Sequence, residues 1–178
     1  MSSFSQWLAQ ILNKSDVEIQ MLLRNETAFQ FLISWSIFES KCFTGYMQIK
    51  SIEGFAKRII SESFLEENIE APFSHFHQRY QDDRKLLNLL HGEKTSKAVT
   101  QSFKRCLSIP KSEVSPTDKV FFVACVVYRY RNNMFHGSKG VQSWLSFENQ
   151  IRLCTSAMQT FLLHAEAISP SMSFNEAA

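Results

Sequence analysis

The chain has 178 residues, 44% hydrophobic and 20% charged, with a formal net charge of +2. That length and balance exclude a wholly disordered polypeptide and leave little room for a second core, so residues 1–178 are expected to form one domain with its core over about 16–167. Five glycines and four prolines supply too few turns for an all-β architecture, which makes an all-α fold the default.

The first eighteen residues lack a basic segment followed by a sustained apolar stretch. The longest uncharged apolar run, Val120 to Tyr128, is too short to span a bilayer. The expectation is a cytoplasmic protein with no membrane contact. Ser15 followed by Glu18 has the spacing of a capping box, which satisfies two backbone donors reciprocally and predicts a long helix starting there. Leu22, Leu23, Phe29, Leu32, Ile33, Trp35, Phe38 and Phe43 recur near helical spacing, with Asn25 to Thr27 as the place for a break.

Residues 46–66 repeat the pattern through Ile49, Ile52, Phe55, Ile59 and Ile60 and predict a second amphipathic helix. Pro72 then reads as a break, followed by a third helix ending at Gly92, a residue suited to the left-handed conformation beyond a helix. A short helix over about 95–107 precedes a polar loop with Pro110 and Pro116. Between residues 79 and 105, Arg79, Arg84, Lys85, Lys94, Lys97, Lys104 and Arg105 outweigh Asp82, Asp83 and Glu93, an excess of four positive charges. Such an excess suits a solvated helix face or a surface that guides RNA.

Ser115 as N-cap, Pro116 at the first helical position, Asp118 at the third and Gly137 beyond the end frame a helix of about twenty residues. Its run "VFFVACVV" is apolar all round, so it is expected at the centre of the molecule. Val141, Trp144, Leu145, Ile151, Cys154, Met158, Phe161 and Leu162 mark a long closing helix to about Ala167, followed by a polar tail over 169–178.

Cys42, Cys106, Cys125 and Cys154 have neither C-x-x-C spacing nor close histidine partners and read as reduced core residues, with neither a zinc site nor a disulfide framework. His75 and His77 lie two apart, where helical side chains point to different faces, so no metal is expected there. No P-loop, G-x-G-x-x-G, H-E-x-x-H or nucleophile elbow is present, and no cofactor is expected.

The central helix ends in "RNNMFHG", residues 131–137. A histidine titrates near neutrality and a guanidinium offers a fixed cationic fork to phosphate oxygens, a pairing suited to chemistry on a phosphodiester. RNA carries its own nucleophile, the 2'-hydroxyl, so cleavage without metal needs only proton transfer and charge stabilisation. Five helical steps separate Arg131 from His136 around the axis, and a terminus that loosens before Gly137 brings them together. Capping of the helix C-terminus by cationic side chains is the purely structural alternative.

"RNNMFH" resembles the R-x4-6-H motif of the HEPN superfamily in its RN-x3-H form, with a helix before and after it as in that family. The resemblance implies a HEPN-like helical bundle with additional short helices, a homodimer, and a metal-independent ribonuclease acting on RNA. Settings in that family include antiviral defence and toxin-antitoxin modules, with an antitoxin or regulatory protein as a possible partner. Arg131 and His136 are then catalytic, Asn132 orients one of them, and Glu39 resembles the acidic residue that some members place on an early helix near the motif. Arg129, separated from His136 by six residues, also meets the spacing, but Tyr130 follows it where the pattern has a polar residue, so Arg129 is assigned with Lys139 to RNA binding. Ser138 stands where some toxin members carry a tyrosine. A non-catalytic HEPN-like module binding a nucleotide, an RNA or a protein is the alternative function.

Overall fold

The computed structural model describes residues 3–60, 67–90, 97–135 and 146–168, and every regular element among them is helical. The fold is all-α. Helices α1 (Ser3–Leu12) and α2 (Asp16–Leu23) are joined by a turn in which Asn13 takes a φ of 49°, the left-handed region that asparagine tolerates better than most residues. The capping box forms: the Ser15 N–H donates to Glu18 Oε2 at 2.9 Å and the Glu18 N–H to Ser15 Oγ at 3.4 Å. The break falls where the sequence places it. Asn25 Oδ1 accepts from the N–H groups of Thr27 and Ala28 at 3.1 and 3.4 Å and starts α3 (Glu26–Cys42).

The second amphipathic helix is shorter than the 46–66 expected. A 3-10 turn over Ile49–Ser51 leads into α4 (Ile52–Ile59), because Phe43 and Gln48 are extended and the chain between them is held out of helix; residues 61–66 lie outside the described set. Pro72 does not break the chain. It is buried inside α5 (Glu67–Arg79), and Thr160 Oγ1 approaches within 3.5 Å of Asn68 O, the carbonyl that a proline four residues on cannot serve. The true interruption comes at residues 80–82, where the Asp82 carboxylate accepts from the Lys85 N–H at 3.0 Å and starts α6 (Asp83–Leu90). Gly92 falls outside the described residues.

Helix α7 (Lys97–Ser108) and a 3-10 turn at Lys111–Glu113 precede α8 (Pro116–Phe135), capped by Ser115 Oγ accepting from the Asp118 N–H at 3.2 Å. The last helix, α9 (Glu148–Ile168), packs most extensively along α3. Helix α8 is surrounded by α4, α5, α7 and α9, and Val120 to Val127 are all buried, as its continuous apolar run demands.

Two aromatic clusters fill the interior. Phe38 meets Phe43, Phe55 and Phe161 at ring separations of 5.5, 5.5 and 5.7 Å, joining α3 to α4 and α9. Phe122 of α8 stacks on Phe103 of α7 at 4.1 Å and meets Phe73 of α5 edge-on at 5.6 Å. Each fully buried phenylalanine contributes about 1.5–3 kcal/mol by leaving water. Lys119, 6% exposed, bridges to Glu70 at 3.0 Å and lies over the Phe73 ring, so its burial is offset by an ion pair between α8 and α5.

Cys42, Cys106, Cys125 and Cys154 sit one each on α3, α7, α8 and α9 as buried thiols. Burial pushes the Cys106 thiol up to about 12, and raises those of Cys125 and Cys154 as well. Several apolar residues in the periodicity of the first helices face water instead of the core. Phe29, Ile33 and Ile37 form an i, i+4, i+8 row on the outside of α3, and Phe4, Trp7 and Ile11 of α1 are also exposed. Among the described residues no helix is long and apolar enough to cross a membrane.

Candidate functional site

The last two turns of α8 change character. After eight buried apolar residues and the half-buried Tyr128 come Arg129, Tyr130, Arg131, Asn132 and Asn133, at the helix end where backbone carbonyls favour nearby cations. Arg131 is half-buried. Its Nη1 donates to Asn132 Oδ1 at 3.0 Å, and its guanidinium lies 5.4 Å from the centre of the Trp35 ring on α3. The arginine is thus held on two sides, by an amide of its own helix and by an aromatic face of another.

Glu39 completes this arrangement from one turn beyond Trp35. A buried indole N–H needs an acceptor, and Trp35 Nε1 donates to Glu39 Oε2 at 3.1 Å. The other carboxylate oxygen accepts the Met47 N–H at 2.9 Å and pins the chain after α3 back onto the helix. Glu39 therefore fixes the indole on which Arg131 rests. The sequence contains this relay as an i, i+4 Trp–Glu pair, but only the packing of α3 beside α8 reveals that an arginine completes it.

The two candidate arginines face different ways. Positions two apart on a helix lie about 200° apart around its axis. Arg129, 8% exposed, points into the side lined by Leu89 and Leu90 of α6 and Val99 and Phe103 of α7, while Arg131 faces α3. Arg131 is accordingly the one that shares a site with Glu39 and Asn132. His136 and Lys139, the other residues assigned from the motif, lie outside the described residues.

A neighbouring face of the same helix end opens into a cleft of about 110 Å³. Its walls come from Arg79 at the end of α5 and Tyr80 after it, Lys85 and Asn88 of α6, Tyr130 and Asn133 of α8, and Phe147 before α9. The Arg79 guanidinium lies 5.7 Å from the centre of the Phe147 ring, and its charge opposes the rise of the neighbouring Tyr130 phenol. Burial pushes the Tyr130 phenol up to about 12, so it stays a neutral hydroxyl at physiological pH. Sequence reasoning included Arg79 and Lys85 in the basic excess of 79–105 but passed over Asn133, Asn88 and Tyr130. Their convergence depends on three helix ends meeting.

The two histidines of the H-x-H pair part company as their spacing predicts. His77 is buried with Nε2 3.1 Å from the Cys106 carbonyl of α7, whereas His75 Nε2 lies 3.5 Å from Gln150 Nε2 of α9. Burial, with the nearby Arg79 charge, holds the His75 ring below its ordinary value. No group of three or more His, Cys, Asp or Glu among the described residues has the arrangement of a metal site.

The chain matches no family model, and neither a curated protein nor a solved structure is significantly similar to it.

Proposed function

We propose that the chain is a metal-independent endoribonuclease of HEPN type, working as a two-fold homodimer in which the ends of two α8 helices face each other. The supporting observation is Arg131, a guanidinium positioned by Asn132 and Trp35 five residues before the motif histidine. In the proposed reaction the 2'-hydroxyl of RNA gives its proton to His136, and its oxygen forms a bond to the adjacent phosphorus. The bond from phosphorus to the 5'-oxygen breaks, and that oxygen takes a proton from the partner's His136. The products are a 2',3'-cyclic phosphate and a 5'-hydroxyl. Arg131 stabilises the charge that builds on the phosphorane oxygens, and Lys139 contacts a flanking phosphate. One Arg/His pair provides one proton carrier, and the dimer provides the two that the reaction requires. Antiviral defence or toxin-like growth arrest is the proposed setting, with an antitoxin or regulator as the restraining partner.

The test is incubation with mixed-sequence RNA in EDTA, beside Arg131→Ala, His136→Ala and an RNA with 2'-deoxy substitutions at the cut sites. Cyclic phosphate ends, a drop of about a hundredfold in either variant and resistance of the 2'-deoxy RNA are expected. Undiminished cleavage by folded His136→Ala, or cleavage only with added metal, overturns the mechanism. A second reading, a non-catalytic module that docks a protein partner, is favoured by the exposed apolar row of Phe29, Ile33 and Ile37. Absence of cleavage by a folded dimer would select it.

A further inference from the structure

The cleft between α5, α6, α8 and α9 has a composition that the fold does not require. Arg79 lies half-buried in its wall and forms no ion pair with a carboxylate among the described residues. The Asn88 and Asn133 amides also line it, and neither hydrogen-bonds to another described group. Around these polar groups stand the rings of Tyr130 and Phe147. A helical bundle closing such a gap for stability alone would use leucine or alanine. Cations, two-sided amides and aromatic faces together are instead the groups that read a nucleotide: phosphate on the cations, the base edge on the amides and the base plane on the rings.

The size narrows the choice. A cavity of about 150 Å³ holds a benzene ring, so a solvent-open cleft of about 110 Å³ encloses at most one six-membered ring, and a fused pair would stand further out of it. Each asparagine amide carries both a donor and an acceptor, as the edge of either pyrimidine base demands. Lys85 on the rim already pairs with Asp82 at 3.3 Å, but both side chains are about half exposed, and a surface pair of this kind is readily shared with a phosphate. We infer that this cleft is a single-nucleotide pocket for a pyrimidine, with the base between Asn88 and Asn133 and the phosphate on Arg79 and Lys85.

Asn133 lies two residues beyond Arg131, and the Tyr130, Asn133 and Met134 face that lines the cleft is centred roughly a third of a turn from Arg131 around the same helix end. A nucleotide held there lies on the face neighbouring that of Arg131, so the pocket would select a base close to the bond that is cut. That selection rests on the ribonuclease reading, but binding of the free nucleotide does not.

The experiment titrates the full chain with uridine and cytidine monophosphates, adenosine and guanosine monophosphates, and inorganic phosphate by calorimetry. Lys85→Ala and Asn88→Ala, both on the exposed side of α6, are measured alongside with their helicity checked by circular dichroism. Pyrimidine nucleotides should bind about tenfold more tightly than purine nucleotides, and each variant should weaken them several-fold. Equal affinity for all four nucleotides, phosphate binding as tightly as the nucleotides, or folded variants that bind unchanged would each overturn the pocket. RNA cleavage without nucleotide binding or base preference would refute the pocket and leave the nuclease standing. Pyrimidine binding without cleavage would do the reverse.

Discussion

Between Val120 and Val127, α8 buries every side chain, with Phe122 among the aromatic rings of its neighbours, whereas between Arg129 and Asn133 the same helix carries two arginines and two asparagines, of which Arg129 and Asn132 are buried and Arg131 and Asn133 half-buried. Apolar burial stabilises without needing a specific partner, and many sequences satisfy it. Polar burial costs free energy unless each group finds a partner, so it persists where the partners have been provided. At the end of α8 partners come from three directions, Trp35 beneath Arg131, the Asn132 amide beside it and Arg79 near Tyr130, while the Asn133 amide is left to the cleft. The upstream stretch holds the fold, and the downstream stretch holds groups that a fold alone would not select.

The sharpest way to break this division is Phe122→Ala. Loss of a ring stacked at 4.1 Å on Phe103 should cost about 3–5 kcal/mol in urea unfolding, while cleavage per folded molecule stays unchanged. A parallel loss of activity at full folding would erase the distinction between the two stretches. Asn132→Ala acts the other way. Removing the acceptor of Arg131 Nη1 should lower cleavage about tenfold through a misplaced guanidinium, with a smaller stability change than that of Phe122→Ala. A stability loss matching that of Phe122→Ala with undiminished cleavage would make Asn132 a structural residue only.

The smallest effect concerns His75, which flanks the polar end through Gln150 and Arg79. Its folded form resists protonation, so the unfolded chain takes up the proton first, and this contribution to stability is present above about 6.5 and lost as the pH falls below that value. The urea midpoint of the native chain should therefore decline between pH 7.5 and 5.5 by more than that of His75→Gln. Equal declines would show that the ring is solvated and titrates freely.

Features that depend on near neighbours along the chain are legible in the amino-acid sequence. The Ser15–Glu18 box, the boundary at Asn25 and the Ser115 cap involve residues two or three apart, whose geometry the helix itself imposes. The burial of α8 follows from apolar residues on all its faces. Pro72 misleads because the cost of a proline inside a helix depends on what lies beside the freed carbonyl, and Thr160 is eighty-eight positions away. Phe29 and Ile33 mislead because periodicity identifies an apolar face but not whether anything packs on it. At the site, the motif points to Arg131, but the Trp35 platform and the cleft beside Asn133 arise from contacts between separate helices, which no local pattern encodes.

The four thiols have a use that their sequence spacing hides. Each lies buried on a different helix, α3, α7, α8 or α9, and burial leaves the sulfurs of Cys106, Cys125 and Cys154 nearly without thiolate while their helices stay docked. An alkylating reagent therefore reaches a given cysteine only during the interval in which that helix has come away from the rest. The chain carries four built-in stopwatches, and the order in which they stop gives the sequence in which the bundle comes apart.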